Sequence, residues 1–215
     1  MSHQIIEIAR SSDSFAMGRC EIGLMPCEGT RLRLRNERSV RVRPVRPADA
    51  ETIQEFVRRL SVTSRRLRFF AAIRELAPAM LARLTESAEH GQVLLAEAHD
   101  GNTCRMVAMA QYAPGHYDRI CELALVVADA WQRLGLGRAL MQMLTQSARA
   151  ACCVRAVADI LRDNEAMLAL GRALDFAVLR SPYDATMLRL ELDLQGVRLT
   201  SRTWTPAGSA PERLS

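Results

Sequence analysis

Aromatic residues make up only 5% of this 215-residue chain. Platforms for stacking the bases of single-stranded nucleic acid are therefore in short supply. No stretch approaches the roughly 20 consecutive apolar residues that a membrane-spanning helix needs. The N-terminus, Met1 to Arg10, lacks the basic-then-apolar layout of a secretory signal and carries Glu7 inside its apolar run. Six cysteines are present, but no Cys-x-x-Cys pair and no Cys/His cluster at zinc spacing. Cys104 and Cys121 sit in apolar, strand-like runs, and Cys152 and Cys153 are adjacent. The thiols read as buried and reduced, with no metal site. Together these absences describe a cytoplasmic protein with neither a membrane nor a nucleic acid as partner.

What is present is an ordinary globular mixture, 49% apolar and 25% charged. The length suits one domain with tails. The net charge is +5, carried by arginines spread along the chain and dense only between Arg31 and Arg46. Arginine alternating with apolar residues reads as a strand face or a solvated arm. A modest basic surface also suits an anionic cofactor or an acidic protein.

Breakers divide the chain. Ser11-Ser12-Asp13-Ser14 and Pro26-Cys27-Glu28-Gly29 interrupt any periodicity near the start, and Thr205-Pro206-Ala207-Gly208 does so near the end. Residues 1–38 are expected to form a weakly structured arm, 39–198 the compact domain and 199–215 a tail. Within the domain, apolar spacing predicts strands at Val40–Val45, Gln92–Ala98, Arg105–Tyr112, Ile120–Val127, Val154–Ile160, Phe176–Arg180 and Thr186–Leu192. It predicts helices at Ala50–Leu60, Ser64–Phe70, Ala79–Ser87, Gly135–Ala150 and Asn164–Leu174. Early strands pair locally, and the last ones, separated by helices, can pair in parallel. The expected fold class is α/β (α+β), a mixed twisted sheet of about seven strands with helices on both faces.

The segment Gln132-Arg133-Leu134-Gly135-Leu136-Gly137-Arg138 lies between strand Ile120–Val127 and a long helix. A helix start has unpaired N–H groups and the positive end of the dipole. Glycines let a phosphate approach that backbone closely. Arg133 and Arg138 add charge beside it. A dinucleotide fold is the sharp rival, with Asp159 as ribose ligand. It fails because Leu140 replaces the third glycine and seven residues separate Val127 from Gly135. No Gly-Lys-Ser/Thr of a Walker A loop occurs.

Gln132-x-x-Gly135-x-Gly137 resembles the cofactor signature of the GNAT superfamily of N-acetyltransferases, and Asn164-Glu165-Ala166-Met167 resembles that family's second cofactor-side segment. Val42-Arg43-Pro44-Val45-Arg46-Pro47-Ala48-Asp49, Leu60-Ser61-Val62-Thr63-Ser64-Arg65-Arg66-Leu67-Arg68-Phe69-Phe70 and Cys121-Glu122-Leu123-Ala124 are similar to bacterial Pat-type protein lysine acetyltransferases. The resemblance implies a GNAT fold, with a splay between the fourth and fifth strands that receives the pantetheine of acetyl-CoA. Backbone amides from Arg133 through Leu134, Gly135, Leu136, Gly137 and Arg138 to Ala139 would hold the pyrophosphate. Leu125 or Val126 would supply the oxyanion N–H, with Val127 beside the pantetheine amides. Gln132, Asn164 and Met167 complete the implied cofactor set. The acceptor would be a protein lysine or, as the rival, a small amine. A non-catalytic acyl-CoA-sensing module is the alternative from another class, and a homodimer is compatible with either.

Acetyl transfer to an amine needs a base, because an ammonium is not a nucleophile. Glu122 is the one carboxylate in an apolar central strand upstream of the turn. It is the candidate base, against the plain alternative of a solvated Glu on an open sheet face. Many family members carry a Tyr seven residues after the Asn matched by Asn164, but Gly171 stands there. Asp175 also departs from the family's usual Gly. Arg65, Arg66 and Arg68 read as the solvated basic face of an amphipathic helix, with contact to the acceptor or CoA as the alternative. Trp131 is expected to pack beneath the cofactor turn.

Overall fold

A computed structural model describes residues 29–86, 91–100, 103–115, 119–181 and 184–195. Its eight strands form one sheet: β1 (Thr30–Arg33), β2 (Ser39–Pro44), β3 (Gln92–Asp100), β4 (Thr103–Pro114), β5 (Ile120–Val127), β6 (Arg155–Leu161), β7 (Ala177–Arg180) and β8 (Met187–Asp193). The order across the sheet is β1-β2-β3-β4-β5-β6-β8-β7. Only β5 and β6 pair in parallel. The expected parallel pairing among the last strands stops there, because β8 inserts antiparallel between β6 and β7. The helices are α1 (Ala50–Arg59), α2 (Val62–Phe69), α3 (Pro78–Thr85), α4 (Leu136–Ala150) and α5 (Glu165–Ala173).

Seven of the strands correspond to those expected. The eighth, β1, lies inside the segment read as a weakly structured arm, and that reading is corrected for Thr30–Arg33; residues 1–28 lie outside the described residues. Thr30 to Arg33 pair along β2 from Val42 to Ser39. Leu32 packs on the main core and Leu34, just beyond the strand, is buried in it. Two burial sites and a ladder are enough to order a short edge strand. The tail lies outside the described residues.

Strand alternation sends neighbouring residues to opposite faces. Leu94 belongs to the core under α4 and α5, whereas Leu95 belongs to the core under α1 and α3. Helix α4 buries Leu136, Leu140, Met141, Leu144 and Ala148 in one stripe. Helix α1 buries Ile53, Phe56 and Val57, with Leu60 just beyond its end. Gly171 of α5 faces β8 so closely that a Cβ there would sit 2.8 Å from Leu190 Cδ1. The position points into the sheet packing and has room for no larger side chain without displacing Leu190. Cys121 and Cys153 are buried and free, Cys104 is free but exposed, and Cys152 is disulfide-bonded. The expectation of buried, reduced thiols therefore holds for Cys121 and Cys153 and is corrected for the other two.

Beside the first turn of the domain, a buried cluster ties β2, β3 and the entrance to α1 together. The Arg43 guanidinium donates to both oxygens of Asp49, at 2.7 and 2.8 Å, and its Nε donates to Glu97 at 2.9 Å. Asp49 also accepts from the Arg46 N–H at 2.6 Å. Burial opposes the charge on Asp49, but the bonds from Arg43 and Arg46 outweigh it and hold the carboxyl below the usual range. Replacing Asp49 leaves Glu97 as the counter-charge of Arg43 but removes the carboxylate that accepts three of the buried cluster's bonds. Asp49→Asn should lower the unfolding free energy by about 3 kcal/mol at neutral pH in urea titrations. A carboxyl with a depressed folded pKa stabilises above its unfolded value of about 3.9 and loses that contribution as pH falls through the folded value. The gap between wild type and variant should therefore narrow below about pH 4.

Candidate active site

The β5–β6 ladder runs only from Ile120↔Arg155 to Glu122↔Val157. Beyond it both strands continue, β5 to Val127 and β6 to Leu161, without pairing to each other. The expected splay is therefore present, and Glu122 stands at its root. On the other side of β5 the ladder to β4 is continuous from Ala108↔Val127 to Pro114↔Cys121. The bonds Ala128 N–H to Val107 (2.8 Å) and Gly115 N–H to Ile120 (2.5 Å) set its phase. Even-numbered residues of β5 turn their backbone polar groups to β4, and odd-numbered ones turn theirs toward β6. Of the two oxyanion candidates, Leu125 thus aims its N–H into the splay. The Val126 N–H faces Met109, and Val127 shares the orientation of Leu125.

At the end of β5 a short 3-10 turn (Asp129–Trp131) leads to the glycine segment. Arg133 and Gly135 both have left-handed backbones, with φ of 61° and 92°. Gly135 suits that conformation at no steric cost. Leu136, Gly137 and Arg138 open α4, so their N–H groups have no helical acceptor. Ala139 N–H is used within the helix, donating to Gly135 O at 3.1 Å. A Cβ on Gly137 would lie 3.4 Å from Leu125 Cδ2, 3.7 Å from Leu170 and 3.9 Å from Val127. The glycine keeps the turn open toward the splay. The sequence thus brings three free amides, the odd-numbered edge of β5 and Glu122 to one channel.

The Gln132 side chain is turned inward. Its amide donates to Val127 O (3.0 Å) and to Ser64 Oγ (3.3 Å). Asp129 accepts from Ser61 Oγ (2.7 Å), Ser61 N–H (3.2 Å) and Ser64 Oγ (2.8 Å). Ser61 in turn caps α2 by accepting from Ser64 N–H at 3.1 Å. Partial burial opposes the charge on Asp129, yet these donors prevail and hold its carboxyl below the usual range. The start of α2 is therefore latched to the end of β5. Trp131 is half-buried against the main core under this turn.

Helix α2 closes one wall of a slot of about 40 Å³, where Arg68 and Phe70 meet Glu122, Asp159, Asn164 and Met167. The expected solvated basic face of α2 is corrected for Arg65 and Arg68, whereas Arg66 stays exposed at the surface. Arg65 donates to the carbonyls of Val57, Arg58 and Leu60, capping the end of α1. Arg66 pairs with Asp163, next to Asn164. Arg68 reaches Gln111 at 3.3 Å, while its Nε is sealed from solvent with no partner. Burial pulls the Arg68 guanidinium down to about 10. A larger concavity, about 570 Å³, lies at the far edge of the sheet against Arg31, Arg41 and His99. It holds none of the groups that acyl transfer needs.

Glu122 is open to solvent on one side and crowded by α2 and β6 on the other. Burial is the main cause that raises its carboxyl above the usual range, and Asp159 adds to it; Arg68 and Arg189 act in the opposite sense. Asp159 is itself held by Arg189 on β8 through two bonds of 2.8 and 2.7 Å. Asn164 is buried and accepts from Met167 N–H at 3.2 Å, so it caps α5. Among the described residues no cluster of His, Cys, Asp and Glu is arranged to hold a metal ion.

A sequence profile described as the acetyltransferase (GNAT) family matches residues 58–176. The chain belongs to this family. An acetyltransferase of Pseudomonas aeruginosa is 34% identical over 152 residues, covering 70% of this chain and 82% of that protein. The GNAT domain of S. lividans PAT is similar in structure, with a TM-score of 0.69 and 26% identity over 77% of this chain and 96% of that domain. A putative acetyltransferase from Salmonella typhimurium, solved with its cofactor acetyl-CoA, shares the fold at a TM-score of 0.55. It is 19% identical, covering 79% of this chain and 99% of that one. This GNAT protein is an N-acetyltransferase with acetyl-CoA as donor.

Sequence reasoning reached the turn and Glu122, gave no site role to Asp129, Ser61 and Ser64, and weighed Asp159 only as a ribose ligand. The Ser-x-x-Ser spacing at the head of α2 carries a capping signal. Nothing local connects it to Asp129, 68 residues away from Ser61. The charges around Glu122 are open to direct measurement. In a carboxyl carbon-13 NMR titration, Glu122 of this acetyltransferase should titrate above the ordinary glutamate value of about 4.3. Arg68→Gln should raise it further, because it removes a cation that favours the carboxylate. A downward or absent shift would show that Arg68 does not act on Glu122.

Proposed function

We propose that this acetyltransferase modifies lysine side chains of proteins, by direct transfer with Glu122 as general base. One observation carries the mechanism: a carboxylate with raised proton affinity stands at the root of a splay whose free strand edge leads to the amides of α4. The pantetheine would lie along Leu125 and Val127, and the pyrophosphate against the N–H groups of Leu136, Gly137 and Arg138. Gln132 supports that turn from behind. The incoming ammonium gives a proton to Glu122, directly or through one water. The neutral amine then attacks the thioester carbon. Negative charge developing on the carbonyl oxygen is met by the Leu125 N–H. The C–S bond breaks as the carbonyl reforms, and the thiolate takes its proton from solvent. Gly171 packs against Leu190 and supplies no hydroxyl for that step.

Two findings support a protein acceptor. The segments Val42–Asp49 and Leu60–Phe70 resemble Pat-type lysine acetyltransferases, and the likeness to the S. lividans PAT domain extends over nearly all of that domain. Asp159, the other carboxylate at the slot, is engaged by Arg189 and is not free to receive a small polyamine. The cytoplasm is the compartment that fits a donor of this kind.

Thiol release from acetyl-CoA, measured across lysine-containing proteins, peptides and small amines, tests this function. Protein or peptide lysines should be the better acceptors. The chain itself contains no lysine, so any acetyl-lysine signal comes from the acceptor alone. Glu122→Gln should fold and bind acetyl-CoA as the wild type does, with kcat lower by roughly 10²- to 10⁴-fold near neutral pH. Activity should fall as pH drops through the raised carboxyl pKa, since only the carboxylate accepts a proton. An unchanged kcat in the variant removes Glu122 from the mechanism, and turnover confined to small amines removes the protein acceptor.

A further inference from the structure

The hairpin between β1 and β2 is packed against the cofactor turn. Leu34 anchors it in the same core as Leu136 and Leu140, the first buried leucines of α4. Bonds from Leu34 N–H to Arg38 O (2.8 Å) and from Glu37 N–H to Leu34 O (3.0 Å) close its tip. Arg35 N–H donates to Leu134 O at 3.3 Å. The Arg38 guanidinium lies over the Trp131 ring, 5.1 Å from its centroid. Arg35 Nε is the nearest heavy atom to the open side of Gly135, 4.0 Å from where a Cβ would stand. Two guanidinium groups, far from the turn in sequence, are thus fixed beside it by backbone and ring contacts.

These charges are not consumed elsewhere. Arg33, on the same hairpin, is paired with Glu37. Arg138, inside the turn, donates to Ala173 O at 3.0 Å and so is directed toward α5. Arg35 and Arg38 have no carboxylate partner among the described residues. Both are exposed at the surface, so they cost little to keep charged and are accessible to a ligand. The pyrophosphate of the donor has backbone amides to meet it, whereas CoA carries a further phosphate monoester on its ribose. Such a group holds close to two negative charges at neutral pH. Planar guanidinium groups match its oxygens in geometry as well as charge.

We propose that Arg35 and Arg38 form a subsite for the ribose 3′-phosphate of acetyl-CoA, so that the β1–β2 hairpin selects CoA thioesters over their dephosphorylated counterparts. The subsite rests on the pyrophosphate lying at the Leu136–Arg138 amides. It gives the otherwise peripheral β1 a part in donor recognition, through electrostatics that should weaken with salt.

The test compares kcat/KM for acetyl-CoA and acetyl-3′-dephospho-CoA at a fixed, saturating acceptor. The wild type should favour the phosphorylated donor by roughly tenfold to a hundredfold, the range for one or two charge-assisted hydrogen bonds. Arg35→Gln with Arg38→Gln should abolish most of that preference while leaving the dephosphorylated donor within about twofold of wild type. Arg35→Lys with Arg38→Lys should keep part of it. If the double glutamine variant melts early, Arg35→Gln alone gives the same comparison. Equal loss with both donors would make the hairpin a purely structural support, and an unchanged preference would put the phosphate elsewhere; either overturns the subsite. A wild type that does not distinguish the donors overturns it too. Gly137→Val separates this from the cradle itself. It should raise KM for both donors alike, and if it does not, the pyrophosphate position fails whatever the hairpin does.

Discussion

The structure turns on the point at which β5 and β6 stop bonding to each other. Up to Glu122 and Val157 they form an ordinary parallel ladder. One residue later the odd-numbered amides of β5 lose their strand partner while remaining fixed by β4 behind them. Backbone groups in that condition must find another partner or stay with water. A ligand that runs between the strands supplies one. The same break puts a carboxylate at the closed end and the amide-rich start of α4 at the open end, because β5 leads directly into that turn. The channel is therefore held open by the sheet, and the helices only line it. Helix α5 is seated against Leu190 through Gly171, and α2 is latched through Asp129 and Gln132.

Charge is distributed around this channel unevenly. Arg68 and the Arg189–Asp159 pair surround Glu122, so the base works against two cations and one carboxylate in a partly desolvated slot. The arginines of α2 illustrate how neighbouring residues of one type can do different things. One caps a helix, one ties α2 to the loop between β6 and α5 by an ion pair, and one is walled into the slot. The buried Arg43–Asp49–Glu97 cluster lies away from the channel. It fixes the entry to α1 and so the frame from which α2 hangs.

Much of the frame was legible. Alternating apolar residues gave seven strands close to their observed bounds, and the stripe on α4 gave the longest helix. The Gln132–Gly137 spacing located the donor turn, and Glu122 stood out as a lone carboxylate in an apolar strand. β1 was missed because Arg31-Leu32-Arg33 alternates equally well in a solvated arm; only its ladder to β2 and the burial of Leu34 distinguish the two. Arg65 and Arg68 were misread because helical spacing shows which residues share a face, not what covers it; Arg66 is exposed as expected. The cysteines were read by composition, and Cys104 and Cys152 do not follow it.

By itself the sequence determined the family, the donor turn and the strand that carries Glu122. Each rests on residues adjacent in the chain, where local backbone geometry leaves few alternatives. Tertiary structure decided which amide of β5 faces the splay, because that depends on the phase of the ladder to β4. It also decided the partners of every arginine near the site. A guanidinium finds its acceptor wherever folding brings one within reach, and no spacing along the chain encodes that encounter.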